Sequence, residues 1–462
     1  MNLLEQYRNR LNVSEKLYAS KHAGEKLSLS KKLAIAKCLS NESNFLKESF
    51  NNSVGTQAQD IGAFKRFVLN ITTAALPNLI AYDLVIVKPM SARSGYVTYV
   101  KYVAGSNKGI TKQGDLFNSP FALGKVDPDY TSSRVVEEFT FVAGGQVKAS
   151  WFPVATGDTV KPRITGITLA AGTAGTVAAD ASVTVGEDGQ TLTLSNGSGT
   201  ALAAGDKVKV AYVYDNVIIP QNDLPLINAE TVGIPLVAKA RRIAVYYSQI
   251  AAYETKQEYG FDLGDGLARQ AVGRLQFEID TEITDLLVSK AAVVDEFTFN
   301  KANRNGVSKA EHYEGFTEVI GQAKAYIYAQ TQRFMANYLI VGPDILPMLP
   351  FLKGFEASRV EEANGPYLAG TLDGYMKVFV KPNMPTGKFV VGVNGDDMMS
   401  SAAIYAPYMP IIPTQLLGHA DGGMSQGFST MYALEMLNEQ LVVAGKVIND
   451  PTAQAVLTKT VE

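Results

Sequence analysis

Residues 261–287, "FDLGDGLARQAVGRLQFEIDTEITDLL", place Leu263, Leu267, Ala271, Leu275, Ile279, Ile283 and Leu287 at four-residue intervals, with Glu and Asp on the opposite side. That period predicts one long amphipathic helix beginning at Asp262, apolar along one stripe and acidic along the other. Downstream, Phe316, Val319, Ile320, Ala323 and Ile327 predict another helix, and "NYLIVG", "KVFVKP" and "KFVVGVNG" alternate with turn signals as short strands. An α/β layer therefore follows the long helix. The chain closes with "AIYAPYMPIIP", a glycine-rich loop, and "STMYALEMLNEQLVVAGKVI", which reads as a strand.

Upstream of the helix the composition changes. Small residues, Thr, Val and Gly dominate from about Val136 to Ile218, and "VTVGEDGQTLTLS" reads as two strands joined at Asp188-Gly189. In "DKVKVAYVYDN", Val208, Val210, Tyr212 and Tyr214 alternate with Lys207 and Lys209. Residues 136–218 are read as a β-sandwich inserted into a host domain. Before it, "GYVTYVKYVAGSNKGITKQGD" alternates and then reaches a Gly, Asn and Lys tip, as a long projecting hairpin would. The run "AALPNLIAYDLVIVKPMS", 74–91, is broken by Pro77 and Pro89 and carries Asp83 and Lys88, so it fails as a membrane span. It is read as two buried pieces, a helix end or turn and a strand over Leu84–Val87.

The chain of 462 residues is 46% hydrophobic, enough for a sizeable core. With 42 basic and 45 acidic side chains, its balance points to neither a nucleic-acid groove nor a polybasic membrane patch. Residues 1–48 hold nine basic and five acidic side chains, a formal +4, so the remainder carries -3 minus 4, or -7. Leu4, Tyr7 and Leu11, then Leu33, Ile35 and Leu39 behind a cap at Ser28 or Ser30, make this leader helical. The polar "SNESNFLKESFNNSVGTQAQD" after it reads as an extended arm or linker. The lone Cys38 fits a reducing cytoplasm, and the N-terminus lacks the apolar core of a signal peptide.

Catalysis finds poor raw material. His22, His312 and His419 are the only histidines, each in a polar context that suits a surface residue better than a base or ligand. Cys38 reads as a structural or exposed thiol and not as a nucleophile. Gly264 and Gly266 in "GDGLAR" fit a flexible helix entry better than a dinucleotide loop, since Arg269 stands at the third glycine position. Asp127, Asp129, Thr131 and Glu138 approach calcium-loop spacing, but Ser132 stands where that loop requires glycine. The pairs Glu361/Glu362 and Asp396/Asp397 read as wetted loop acids. Tyr96, Tyr99 and Tyr102 around Lys101 could stack single-stranded bases, but on an alternating strand they suit packing and interface roles better. No catalytic residue, cofactor or metal is assigned.

Three stretches, in order "LPNLIAYDLVIVKPMSARSGYV", "KARRIAVYYSQIAAYETKQEYGFDLGDGLARQAVGRLQFEIDTEITDLL" and "AIYAPYMPIIPTQLLGHADGGMSQGFSTMYAL", stand out together. They resemble the major capsid proteins of tailed bacteriophages, the T-even-type branch of the Hong Kong 97-type fold. The resemblance implies an α+β fold with a basic helical N-terminal leader and candidate propeptide at 1–48, an N-arm and entry strand at 49–89, and an extended loop at 90–135. The inserted sandwich at 136–218 decorates that loop. A peripheral domain with the spine helix occupies 219–313, an axial domain 314–400, and a return to the peripheral domain with the C-terminal strand 401–462.

The function implied is self-assembly into hexameric capsomers of an icosahedral head shell that encloses viral DNA. Partners implied are other copies of the chain, scaffold, portal, and vertex or decoration proteins, and packaged double-stranded DNA bound without sequence specificity, with no membrane. Assembly in the host cytoplasm is implied too. Because the family's N-terminal segment is often cut after Glu in a Leu-x-Glu context, "FLKES" implies a maturation cut after Glu48, at the charge step. An encapsulin-type nanocompartment shell and a β-sandwich adhesin or binding module are the alternative functions.

Overall fold

A computed structural model describes residues 3–22, 24–51, 68–115, 129–142, 145–157, 161–170, 172–215, 224–302, 306–331, 333–358 and 365–449. They divide into unit 1, residues 1–97 with 233–462, and unit 2, residues 98–232.

The long helix of unit 1 runs over Leu263–Lys290, 28 residues, opened by Asp262, whose carboxylate accepts hydrogen bonds from the backbone N–H groups of Gly264 and Asp265. That cap satisfies two of the donors a helix leaves free at its start. A four-residue spacing advances about 40° past a full turn at each step, so the apolar stripe winds around the helix. Its first half, Ala268, Ala271 and Leu275, accordingly packs with Ala75, Ile411 and Phe428. Its second half, Ile279, Ile283 and Leu287, joins the main core.

Two sheets flank this helix in sequence. One orders β1 (Ile86–Val87), Ala403–Pro413, Gly423–Met436 and Lys239–Ser248 side by side, and Leu417–Gly418 pairs with Gly423–Met436. Lys239–Ser248 stays in register with Gly423–Met436 from Lys239↔Tyr432 to Ser248↔Gly423. Those strands grip the helix through Glu282, which accepts from Arg241 at 2.8 Å and from the Tyr432 hydroxyl. The other sheet has seven strands, in the order Ala292–Asn300, Val442–Ile448, Lys388–Gly392, Tyr338–Val341, Met376–Val380, Tyr367–Leu372 and Phe355–Ala357. The middle strand, Tyr338–Val341, is buried along its whole length, as a continuous apolar run requires. Helix Phe316–Thr331 buries Phe316, Ile320, Ala323 and Ile327 in the same core.

Unit 2 holds two small sheets. Arg134–Thr140, Lys207–Val213, Arg163–Thr168 and Ala174–Gly175 form the first, and Gln146–Lys148, Thr191–Ser195 and Ser182–Val185 the second. Ser182–Val185 and Thr191–Ser195 pair as a hairpin, and Gly189 in its turn has a φ of 65°, which glycine adopts without strain. Val135, Val147, Trp151, Leu192, Leu194, Val208, Val210 and Tyr212 close one core within the unit.

Three local readings are corrected. Leu84–Val87 is not one strand: Ala81–Leu84 is a helical turn and only Ile86–Val87 pairs. In a wholly buried segment periodicity cannot separate helix from strand, and here the Asp280 carboxylate, accepting from Ile80 N–H at 3.0 Å, helps settle the backbone at the start of the turn. Residues 40–51 are not an extended arm but the end of helix Leu29–Asn51. Their polar look hides a buried face of Leu39, Glu42, Ser43 and Leu46. The closing stretch is two strands, not one: Asn438 accepts from Gln440 N–H and turns the chain from Gly423–Met436 into Val442–Ile448 of the other sheet.

Candidate assembly surfaces

Two-stranded pairing of Ser94–Ala104 with Ile227–Val237 makes a ribbon of 11 residues per strand. At about 3.4 Å per residue it spans roughly 35 Å. Alternation sorts its faces: Val97 and Val103 are buried, whereas Tyr96, Val100 and Tyr102 are exposed. On the returning strand Ile227 and Val237 are exposed too. A two-stranded ribbon is marginal in water by itself, and contiguous exposed apolar side chains mark interaction surfaces.

A second surface lies in unit 1 on α1 (Gln249–Tyr259), capped by Ser248 at its start and by left-handed Gly260 at its end. None of its residues is buried. Ile250 and Tyr253, one helical turn apart, are 70% and 66% exposed, so the largest apolar groups of this helix face outward. An 11-residue helix is too short to stand by propensity alone, which leaves this face in want of a partner.

The N-terminal helices pack into the main core. Tyr18, Ile35, Cys38 and Leu39 are fully buried in the main core. Around Asp83, the Tyr18 hydroxyl donates at 2.7 Å, Lys377 at 3.0 Å and Lys31 at 3.3 Å, and His22 lies at 3.4 Å. Lys377 also reaches Glu25 at 2.7 Å. Burial works to raise the Asp83 pKa, but Lys31, His22, Lys377 and the Tyr18 hydrogen bond outweigh it and hold the carboxyl below its usual range. The same burial lowers the His22 pKa against the pull of Asp83.

His22 is thereby corrected from a surface residue to a partly buried one stacked on Tyr18 at 4.0 Å. His312 stacks on Phe299 and contacts the Asn300 carbonyl, and His419 contacts the Ser425 hydroxyl, so the three histidines serve separate places. Cys38 is a structural thiol whose pKa burial pushes up to about 12. Of the calcium-loop residues, Asp127 lies outside the described residues and Glu138 pairs with Lys207 at 3.1 Å. No cluster of metal-ligating side chains occurs among the described residues. Asp396 accepts from Ser30 and Asp397 caps a short turn, while Glu361 and Glu362 lie outside the described residues. Glu48 falls within the backbone of helix Leu29–Asn51, and its side chain is not among those described. No described helix is long and apolar enough to cross a membrane.

Sequence reasoning missed the Asp83 cluster, whose members lie 52 to 294 residues from Asp83, and the outward face of α1. The only local signal for the latter was Ile250 followed three residues later by Tyr253.

A family model described as major capsid protein Gp23 matches residues 61–460. The chain belongs to the Gp23 family of major capsid proteins. This Gp23-family chain is 23% identical over 424 residues to the major capsid protein of Vibrio phage KVP40, covering 84% of the chain and 77% of that protein. It is 22% identical over 397 residues to the major capsid protein of Enterobacteria phage T4, covering 79% and 74%. Among solved structures, it is similar to the capsid of Myoviridae phage XM1, with a TM-score of 0.36, 10% identity and coverage of 50% of this chain and 81% of that one. A chain from Mycobacterium phage Che8 matches with a TM-score of 0.34, 16% identity and coverage of 47% and 74%.

The Gp23-family chain folds as mixed helix and sheet and is a phage head-shell subunit, a component of the virion capsid. Its family is a structural one, and neither the encapsulin nor the adhesin alternative is favoured.

Proposed function

We propose that this subunit closes into homo-hexameric capsomers whose ribbons, strands Ser94–Ala104 and Ile227–Val237, lie over neighbouring copies in an icosahedral shell. The observation that carries this is the apolar outer face of that ribbon, with Val100 and Tyr102 on one strand and Ile227 on the other. Covering such a face removes apolar area from water at roughly 25 cal/mol per Å², and repetition around a closed ring multiplies each modest contact. The shell encloses double-stranded DNA without sequence-specific contacts, is built in the host cytoplasm, and works with scaffold, portal and vertex or decoration proteins. The near-balanced charge supports a wall to which DNA does not adhere.

The boundaries 1–48, 49–89, 90–135, 136–218, 219–313, 314–400 and 401–462 are proposed as the functional divisions of the shell subunit. A maturation cut after Glu48 is part of the proposal, supported by the "FLKES" context and the charge step. Because Glu48 sits in a helix that continues to Asn51, the cut requires that end to unwind first. Intact-mass measurement of purified particles tests it, a chain beginning at Ser49 supporting the cut and a full-length chain refuting it.

The test of assembly is electron microscopy of the expressed chain and of a Val100→Ser, Tyr102→Ser, Ile227→Ser variant. Rings, tubes or shells from the wild type, and folded but dispersed subunits from the variant, are expected. Assemblies of equal yield from both would refute the ribbon's role.

A further inference from the structure

In unit 2, the side chain of Lys108 is buried just beyond strand Ser94–Ala104, where Lys108 and Thr111 form a β-bridge. Its ammonium donates to three backbone carbonyls, those of Tyr130 at 2.7 Å, Asp129 at 3.2 Å and Ser132. It also lies 5.2 Å from the ring centre of Tyr214 and 5.6 Å from that of Trp151. Those two rings stack on each other at 5.3 Å. Three converging carbonyl dipoles and two aromatic faces present negative potential to one point, the arrangement that recognises a desolvated cation.

The groups gathered there come from three separate segments of the unit. Asp129, Tyr130 and Ser132 lead into the first sandwich strand, Arg134–Thr140, and Tyr214 follows the last, Lys207–Val213. Trp151 follows Gln146–Lys148 of the second sheet, and its indole N–H donates to the Asn107 carbonyl at 3.2 Å. Tyr130, through its hydroxyl, joins Ser106 at 2.9 Å to the Leu226 carbonyl at 2.9 Å, where the chain leaves the sandwich. Both crossings between loop and sandwich thus meet at one ammonium.

We infer that Asp129, Tyr130, Ser132, Trp151 and Tyr214 form a binding site for a primary ammonium group, filled from within the chain by Lys108, and that this ammonium fixes the inserted sandwich on the loop that carries it. Lys108 is a positioning residue, and the surface the sandwich offers to neighbours follows from it.

Trp151 is the single tryptophan of the chain, so its fluorescence reports this site alone. Lys108→Ala removes the last three carbons and the nitrogen of the side chain, the shape of n-propylammonium, while Lys108→Met keeps the bulk and removes the charge. In the full-length chain both variants are expected to shift Trp151 emission to the red and to open it to acrylamide quenching. Propylammonium chloride should reverse the shift in Lys108→Ala saturably, and n-propanol or sodium chloride should not. Hydrogen exchange over 129–134 and 207–214 should quicken in both variants while 338–341 and 388–392 stay protected.

Unchanged emission in both variants, or equal rescue by propanol, would overturn the inference, the latter by showing that volume and not charge is read. If Lys108→Ala loses protection throughout, Lys108→Met decides by itself: wild-type emission and wild-type exchange at 207–214 refute the positioning role.

Discussion

Glu42→Gln is expected to change how stability depends on pH. Glu42 is fully buried on helix Leu29–Asn51, where one carboxyl oxygen accepts from the Thr72 hydroxyl at 2.7 Å and the other has no hydrogen-bond partner among the described residues. Burial pushes its pKa from 4.5 up to about 8, against smaller opposing effects of the Thr72 hydrogen bond and Arg10. Below pH 4.5 folded and unfolded chains both hold the proton, and this group costs nothing. Between there and about pH 8 the unfolded chain gives its proton up while the folded chain keeps it. Each pH unit in that window then costs roughly 1.4 kcal/mol of stability, about 5 kcal/mol in all. Above the window the loss is complete and constant.

Glutamine carries no charge in either state, so the variant lacks this slope. Its amide N–H groups meet the unpartnered position at a cost that does not vary with pH. The quantity to measure is therefore the difference in unfolding free energy between variant and wild type, from urea titrations of unassembled subunits at pH 5, 6, 7 and 8. It should move in the variant's favour by about 4 kcal/mol from pH 5 to 8. Parallel pH profiles for the two proteins would refute the reasoning.

Asp83→Asn leaves Lys31, Lys377 and His22 around a neutral group and should cost about 3–5 kcal/mol at pH 7. Because the Asp83 pKa is depressed in the fold, its contribution is present above the ordinary carboxyl value and is lost as pH falls through the lower one. An acid titration followed by circular dichroism should therefore show a loss in the wild type that the variant lacks. Ile279→Ala, at a position 2% exposed where the spine helix enters the main core, should cost about 2–5 kcal/mol in urea unfolding. Gly387 has a φ of 71°, and a Cβ there would stand 2.3 Å from the Val447 carbonyl oxygen. Gly387→Ala should lower stability by about 1–3 kcal/mol, measured by thermal melting, and an unchanged melting point would contradict the close approach.

The spine helix was legible because its stripe is local and long, and the Asp188-Gly189 hairpin because turn chemistry names its residues. Residues 40–51 were misread because a helix that buries Glu42 and Ser43 beside Leu39 and Leu46 hides its inner face from any hydropathy pattern. At 81–84 burial on every side erased the periodicity that would have marked a helical turn.

By itself the sequence determined the elements whose signal repeats within a few residues: the winding apolar stripe of Leu263–Lys290, the alternating strands around Val208 and Val210, and the family motifs in order. Tertiary structure alone decided which side chains meet. Nothing near Asp83 in the sequence announces Tyr18, Lys31 or Lys377, and nothing near Lys108 announces Trp151 or Tyr214. The reason is physical: periodicity records which face of one element avoids water, whereas a buried charge is stabilised by groups that distant parts of the chain bring to it only after that water has gone.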